Sequence, residues 1–562
     1  MTLRSRFIPL IPAALLSLAA CNDDTAMSGA SADASTTGGI SVSATSADPP
    51  TGEPTSSGPA GPEVTRVVYS RLDPLYRTTA LRGVELVDGA PQPPQTRLAA
   101  PPGGSLQSMI DTLDRPRWLP YTVSGPDPAH LWLVESTTFA VHEPPVPPGS
   151  AFGPARLDAR GTGVILPAAA GAEQAPFMVC TIAEDGACHL HELDPSLPPD
   201  VLLDDVRELS ASRGWVVYTT RPAVGDGFDV HLAALDSLDL PLLLASFPAA
   251  TTLRTALAPD DRAIYFDVTG PQSLEHVAVD LDADVPGPPV ALHPPLVGPE
   301  LASTWAPDMS ALLLFSGADE FGDLHLVEID GATAGPMQPI HAGAPGHAYH
   351  SPRAVAHVSA DGARILYFSD HETPGTTQLY LVDRAAPGKP PKRLNGPLAP
   401  GERVRSGAFL RDPGHAVYFA HTPTEPARAR LVRTTLDGSA NEQTLSPPIF
   451  DAMIDSVKES ADGSRLVYSA RGVDDGWVLH YVDLTDPDLA SNPLDDLAPI
   501  PELLWSDFSA SGRQFFVSLG EADAQAQNPL GVAMIPLDPL ADAVLLSDPD
   551  ERGFFVHVAP SN

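Results

Sequence analysis

The stretch VSADGARILYFSD, residues 358–370, followed by TQLYLVDR, residues 377–384, decides the fold. Asp361-Gly362 is a tight-turn signal, because glycine enters positive φ freely and aspartate bonds its own backbone. A β-branched and aromatic strand follows. The second strand sets Leu379 and Leu381 against Tyr380 and Val382, apolar on both sides, which suits a sheet buried on both faces.

The same pattern recurs along the chain. LAPDDRAIYFDV (257–268) precedes HVAVDLD (276–282), ESADGSRLVYSARG (459–472) precedes WVLHYVDLTD (477–486), and FSASGRQFFVSLG (508–520) precedes VAMIPLD (532–538). Strand centres at Tyr218, Tyr265, Leu314, Tyr367, Tyr418, Tyr468 and Phe516 lie 47, 49, 53, 51, 50 and 48 residues apart. Weaker copies lie upstream around Tyr69, Tyr121 and Leu166, so up to ten units can be counted. A period near fifty predicts an all-β chain, a β-propeller of four-stranded antiparallel blades, since one blade cannot cover its own two faces and neighbours must stack. A pair of β-sandwiches would leave the constant period unexplained. We expect seven or eight blades; ten would mean an unusually large ring or two rings in tandem. The last strand, GFFVHVAP (553–560), is a candidate to complete the first blade.

Ser359-Ala-Asp-Gly-Ala-Arg-Ile-Leu-Tyr-Phe368 resembles the Ser-Pro-Asp-Gly-Arg-x-Ile-x-Phe element of TolB-type propeller repeats, and Leu379–Asp383 resembles that family's paired strand. The resemblance covers roughly Thr219 to Asp538 and extends more faintly back to Val64. Two copies depart from it: APDMSALLLF (306–315) lacks the glycine, and FLRDPGHAVYF (409–419) carries Pro-Gly. The resemblance implies a propeller working in envelope complexes. The Gly-His and Trp-Asp marks of WD-type repeats are not seen.

The first residues read as an export signal. Arg4 and Arg6 precede the apolar run Phe7–Ala20, which two prolines interrupt and which is too short to span a membrane. Leu18-Ala-Ala-Cys21 is similar to the lipobox of bacterial lipoproteins, which implies cleavage after residue 20 and a diacylglycerol on the Cys21 thiol. Asn22 is not the aspartate associated with inner-membrane retention, so outer-membrane anchoring is favoured. Residues 21–62 are Ser, Thr, Ala, Gly and Pro-rich and cannot offset their ordering entropy by burial; they read as a tether. Residues 63–562 read as the propeller.

The chain has 63 prolines and a net charge of −38, from 33 Lys+Arg against 71 Asp+Glu. The prolines argue against a helical body. The charge argues against nucleic acid, whose phosphates require clustered cations. Cys180 and Cys188 flank the turn TIAEDGA in an apparent hairpin, 177–193, and an oxidising compartment favours a disulfide between them over a thiol metal site with His189 and His191. His341, His347, His350 and His357 have no familiar ligand spacing. Asp280, Asp282 and Asp284 could open a calcium loop, but Ala291 stands where an EF-type loop needs glutamate.

No Gly-x-Ser-x-Gly or phosphate-cradling glycine loop is present. Residues up to Asn562 read as strand, so the hydrolase domain that prolyl peptidases join to a propeller is not expected. The leading expectation is a monomeric, non-enzymatic envelope module without cofactor, docking a protein, peptide or glycan. The alternative is a propeller enzyme (glycan lyase, glycosidase or metal-dependent lactonase) with a site dispersed over several blades. Cys21→Ala tests the anchor: the variant is expected to leave the membrane pellet for the soluble fraction, whereas an unchanged distribution would exclude lipid attachment at this thiol.

Overall fold

The computed structural model describes residues 64–559, apart from short connecting stretches of which 168–176, 341–348 and 495–501 are the longest. The signal (1–20), Cys21 and the tether through residue 62 lie outside the described residues. Strands make up the regular structure; no helix occurs among the described residues.

Blade 4 shows the plan. Val201–Ser210, Trp215–Pro222, Phe228–Ala234 and Ser237–Phe247 pair antiparallel in that order. Every unit counted in the sequence occupies such a blade, giving ten, numbered in chain order with second strands around Tyr69, Tyr121, Leu166, Tyr218, Tyr265, Leu314, Tyr367, Tyr418, Tyr468 and Phe516. First strands touch one another between blades 2 and 3, 4 and 5, and 10 and 1, and those of blades 2 and 3 pair in parallel through Ser108↔Ala155 and Met109↔Arg156. The first strands are therefore innermost. Blade 1 takes its innermost strand from the far end of the chain: Arg552–Ala559 runs antiparallel to Val64–Leu72, as the sequence suggested for 553–560.

Ten apolar clusters fill the seams, each drawn from two consecutive blades. The tenth sets Phe516, Val532 and Met534 of blade 10 against Val67, Tyr69 and Val84 of blade 1. Because every seam joins consecutive blades and the last joins the first, there is one ring. The expectation of seven or eight blades is corrected to ten. The three upstream units had lost the Asp-Gly turn that made the later copies legible, yet each keeps a buried second strand: Val64–Leu72, Trp118–Ser124 and Gly163–Leu166.

Strand alternation explains why blades need neighbours. In blade 7, Tyr367, Tyr380 and Val382 enter the seam with blade 6, while Leu366, Phe368, Leu379 and Leu381 enter the seam with blade 8. Each large apolar side chain buried this way contributes about 1.5–3 kcal/mol. A detached blade would expose both sets.

Where the turn glycine before a second strand is kept, the turn is built as the sequence implied. Gly362, Gly463 and Gly512 sit at φ 68°, 70° and 68°, and Asp361 and Asp462 each accept the backbone N–H two residues on, at 3.1 Å. In the copy that lost its glycine, Met309 occupies the left-handed region at φ 58° while Asp308 still accepts the Ser310 N–H at 3.0 Å. The left-handed conformation costs a non-glycine residue about 1–2 kcal/mol. The ladder around it holds the turn regardless.

Deleting residues 551–562 removes the inner strand of blade 1 and buried Val558. The side chain alone contributes about 1.5–3 kcal/mol and its ladder goes with it. The truncated protein is expected to lose more than about 3 kcal/mol in a urea titration; an unchanged midpoint would show that this pairing does not close the ring.

Candidate functional site

Cations are scarce in this chain, and the structure concentrates many of them at blade seams. Arg117, Arg213 and Arg364 donate across seams to the backbone carbonyls of Glu184, Leu281 and Pro413 at 2.9, 2.9 and 2.8 Å. Arg384 donates to the Ser310 carbonyl at 2.8 Å and pairs with Glu328. In the seam of blades 8 and 9, Glu459 accepts the Arg411 N–H at 2.9 Å, and burial pushes its carboxyl up to about 7.

Ionisable groups of the inner strands gather in blades 3 to 5. Arg156 reaches Asp205 at 2.7 Å; Asp204 holds Arg207 at 2.7 Å and Arg221 at 3.3 Å. Glu208, 7% exposed, accepts the Thr255 hydroxyl of blade 5 at 3.0 Å. Burial raises the Glu208 carboxyl to about 7, opposed by Thr255 and by the charge of Arg156. Asp204 and Asp205 are thus paired with three arginines, while Glu208 is held by a hydroxyl. The arrangement ties three blades together.

The seam of blades 5 and 6 carries a different constellation. His293 Nδ1 lies 2.6 Å from the Pro294 carbonyl, which can only accept, so this nitrogen holds the proton. His293 Nε2 then accepts from His276 Nδ1 at 2.8 Å, and His276 Nε2 accepts the Ser303 hydroxyl at 2.9 Å. Trp305 Nε1 donates to Asp267 at 3.3 Å beside them. A serine donating to a neutral imidazole has the outline of an activated nucleophile. However, His276 is fully buried and burial lowers its pKa to about 3, far from the value suited to proton transfer at neutral pH. The chain of bonds serves to fasten Ser303 of blade 6 to blade 5.

The sequence candidates fall in separate places. Cys180 and Cys188 lie on Phe177–Ile182 and Cys188–Leu193, diagonal to each other, because Cys180 opposes Leu190 and Cys188 opposes Ile182. Their Cα atoms are 5.6 Å apart, within the span of a disulfide. His189 and His191 stand on the same short strand. His341 and His347 lie outside the described residues, while His350 and His357 sit on two-residue strands. Asp282 is engaged by Arg262 at 2.8 Å and Arg213 at 3.7 Å, and Asp280 accepts the Asp282 N–H at 2.8 Å; Asp284 is outside the described residues.

Open space lies elsewhere, on the face carrying the turns between first and second strands and between third and fourth strands. A cleft of about 500 Å³ between blades 9 and 10 is lined by Asp462, Arg465, Asp483, Ser511, Arg513 and Asp538. Arg465 and Arg513 both approach Asp538, at 3.5 and 3.6 Å. A cleft of about 720 Å³ between blades 7 and 8 is lined by exposed Pro390 and Pro413 beside Arg364, Lys389 and Lys392. Sequence reading passed over these lysines. The available signal was rarity: the chain contains three lysines, and two line this cleft.

No family model matches the chain, and no curated protein is significantly similar to it. Among solved structures, it is similar to one from a study of two prolyl endopeptidases, at 14% identity over 74% of this chain and 55% of that one, TM-score 0.37. Prolyl oligopeptidase B from Galerina marginata matches at 11% identity over 64% of this chain and 54% of that one, TM-score 0.34. TolB from Acinetobacter baumannii matches at 16% identity over 62% of this chain and 82% of that one, TM-score 0.28. The chain spans about half the length of the two peptidase structures. At these scores the likenesses carry no argument about activity or partner.

The Glu208 carboxyl sets a pH dependence with a definite sign. Its folded pKa, about 7, is above the unfolded value, so the stability it contributes is present below pH 4.5 and is lost as pH rises through 7. Glu208→Gln is therefore expected to be more stable than the parent at pH 8, by up to about 3 kcal/mol, and equal to it at pH 4.5. Thermal melts at the two pH values check this; a variant less stable at pH 8 would mean that the charged form is held favourably.

Proposed function

We propose that this protein is a recognition scaffold of the bacterial cell envelope: a TolB-like propeller held to the outer membrane by a lipid on Cys21. In this reading it is braced by a Cys180–Cys188 disulfide, acts as a monomer, and docks a protein, peptide or glycan on its turn face. The reading rests on one contrast. The described constellations of ionisable side chains inside the ring are tied into blade seams, whereas the open clefts lie between blades on the turn face. Groups consumed in internal pairs are poorly placed to meet a substrate, while open polar clefts suit recognition.

The convergence of Asp204, Asp205 and Glu208 favours a second reading, an enzyme working from carboxylates of several inner strands. Its cost is that the arginines holding Asp204 and Asp205 must first be displaced.

Detergent-solubilised envelopes passed over the lipidated protein, with the Cys21→Ala form as control, test the scaffold. Retention of one specific envelope component by both forms is the expected result. A stable, monodisperse bait that retains nothing would count against the scaffold and turn attention to glycan and divalent-metal turnover assays.

A further inference from the structure

We infer that the cleft between blades 7 and 8 binds the free carboxylate end of a peptide whose last side chain is apolar. This rests on the scaffold reading and names its ligand. The cleft brings together three cations, Arg364, Lys389 and Lys392, and two carboxylates, Asp383 and Asp437. One more negative charge balances the set.

The cations differ in their engagement. Arg364 is anchored to the Pro413 carbonyl at 2.8 Å. Lys389 and Lys392 are both exposed and neither forms an ion pair with a described residue, in a chain where arginines are largely committed to seams. Lys392 is also positioned. Its stem lies across Gly438 of blade 8, where a Cβ would come within 2.3 Å of Cδ. Gly438 has φ 75°, so both its conformation and its missing side chain leave the lysine its place.

The carboxylates select among anions. Asp383 is tied to the Ala385 N–H at 3.0 Å, and Asp437 to the Ser439 N–H at 2.8 Å and the Thr435 hydroxyl at 2.7 Å. Their fixed charges repel a phosphate dianion or a polyanion, as does the net charge of −38. A monoanionic carboxylate is accommodated, and the aspartates can accept the amide N–H groups of the same peptide. Exposed Pro390 and Pro413 offer an apolar surface to the last side chain. No aromatic ring lines the cleft among the described residues, so sugar-ring stacking is not offered. A volume of about 720 Å³ suits two or three terminal residues.

The test probes the full-length protein in detergent with an array of hexapeptides randomised at the last three positions, as free acids and as amides. Free acids with an apolar last residue are expected to bind at least tenfold more tightly than their amides. The Lys389→Ala/Lys392→Ala double variant should lose that preference, and Gly438→Ala should weaken it several-fold. Equal binding of acids and amides, or a preference untouched by the lysine substitutions, overturns the inference. So does a uronic-acid oligosaccharide that binds through the same lysines while the array stays silent. If the array is silent but the double variant still captures its envelope component, the cleft assignment fails and the scaffold stands. Acid-specific peptide binding without any envelope capture would uphold the cleft and remove the scaffold.

Discussion

The pairing of Val64–Leu72 with Arg552–Ala559 is the constraint on which the ring depends. These strands are separated by almost the whole described chain, so bringing them together costs loop-closure entropy of about 5 kcal/mol. What offsets that cost is local: a backbone ladder plus the seam in which Val67 and Tyr69 meet Phe516 and Met534. Without it, blades 1 and 10 would each present an apolar face to water. Every other seam joins neighbours in sequence and carries no comparable closure cost.

The seams also account for the charge arrangement. An acidic chain must keep like charges apart in a compact body. Here Arg213, Arg364 and Arg384 bridge blades, and backbone carbonyls serve as acceptors as often as carboxylates do. Such contacts fix the rotation of one blade against the next, which apolar packing alone leaves loosely specified. Much of the surplus acid is left facing solvent.

Buried titratable groups pull stability in opposite directions. Glu208 and Glu459 favour their protonated forms and weaken the fold as pH rises toward 7. His276 and His293 favour neutrality, so they weaken it as pH falls below 6.5. Between pH 4.5 and 6.5 the slopes of the two pairs overlap and oppose each other. Their networks sit in seams, so protonation acts on blade-to-blade contacts, away from the open clefts.

Sequence alone determined the blade. The alternation Leu379, Tyr380, Leu381, Val382 dictates a sheet buried on both faces, and Asp361-Gly362 dictates the turn that starts its second strand; both are local physics and both hold. Periodicity exposed ten units, but turn chemistry had decayed in the first three, and local pattern carries no measure of ring size. The blade number was decided by seam packing, by which unit buries its face against which. The same holds for the clefts. Lys392 and Gly438 are 46 positions apart in the chain and meet only because two blades stack, so no motif could have announced them. Their contact exists only between blades, where tertiary structure decides what is near what.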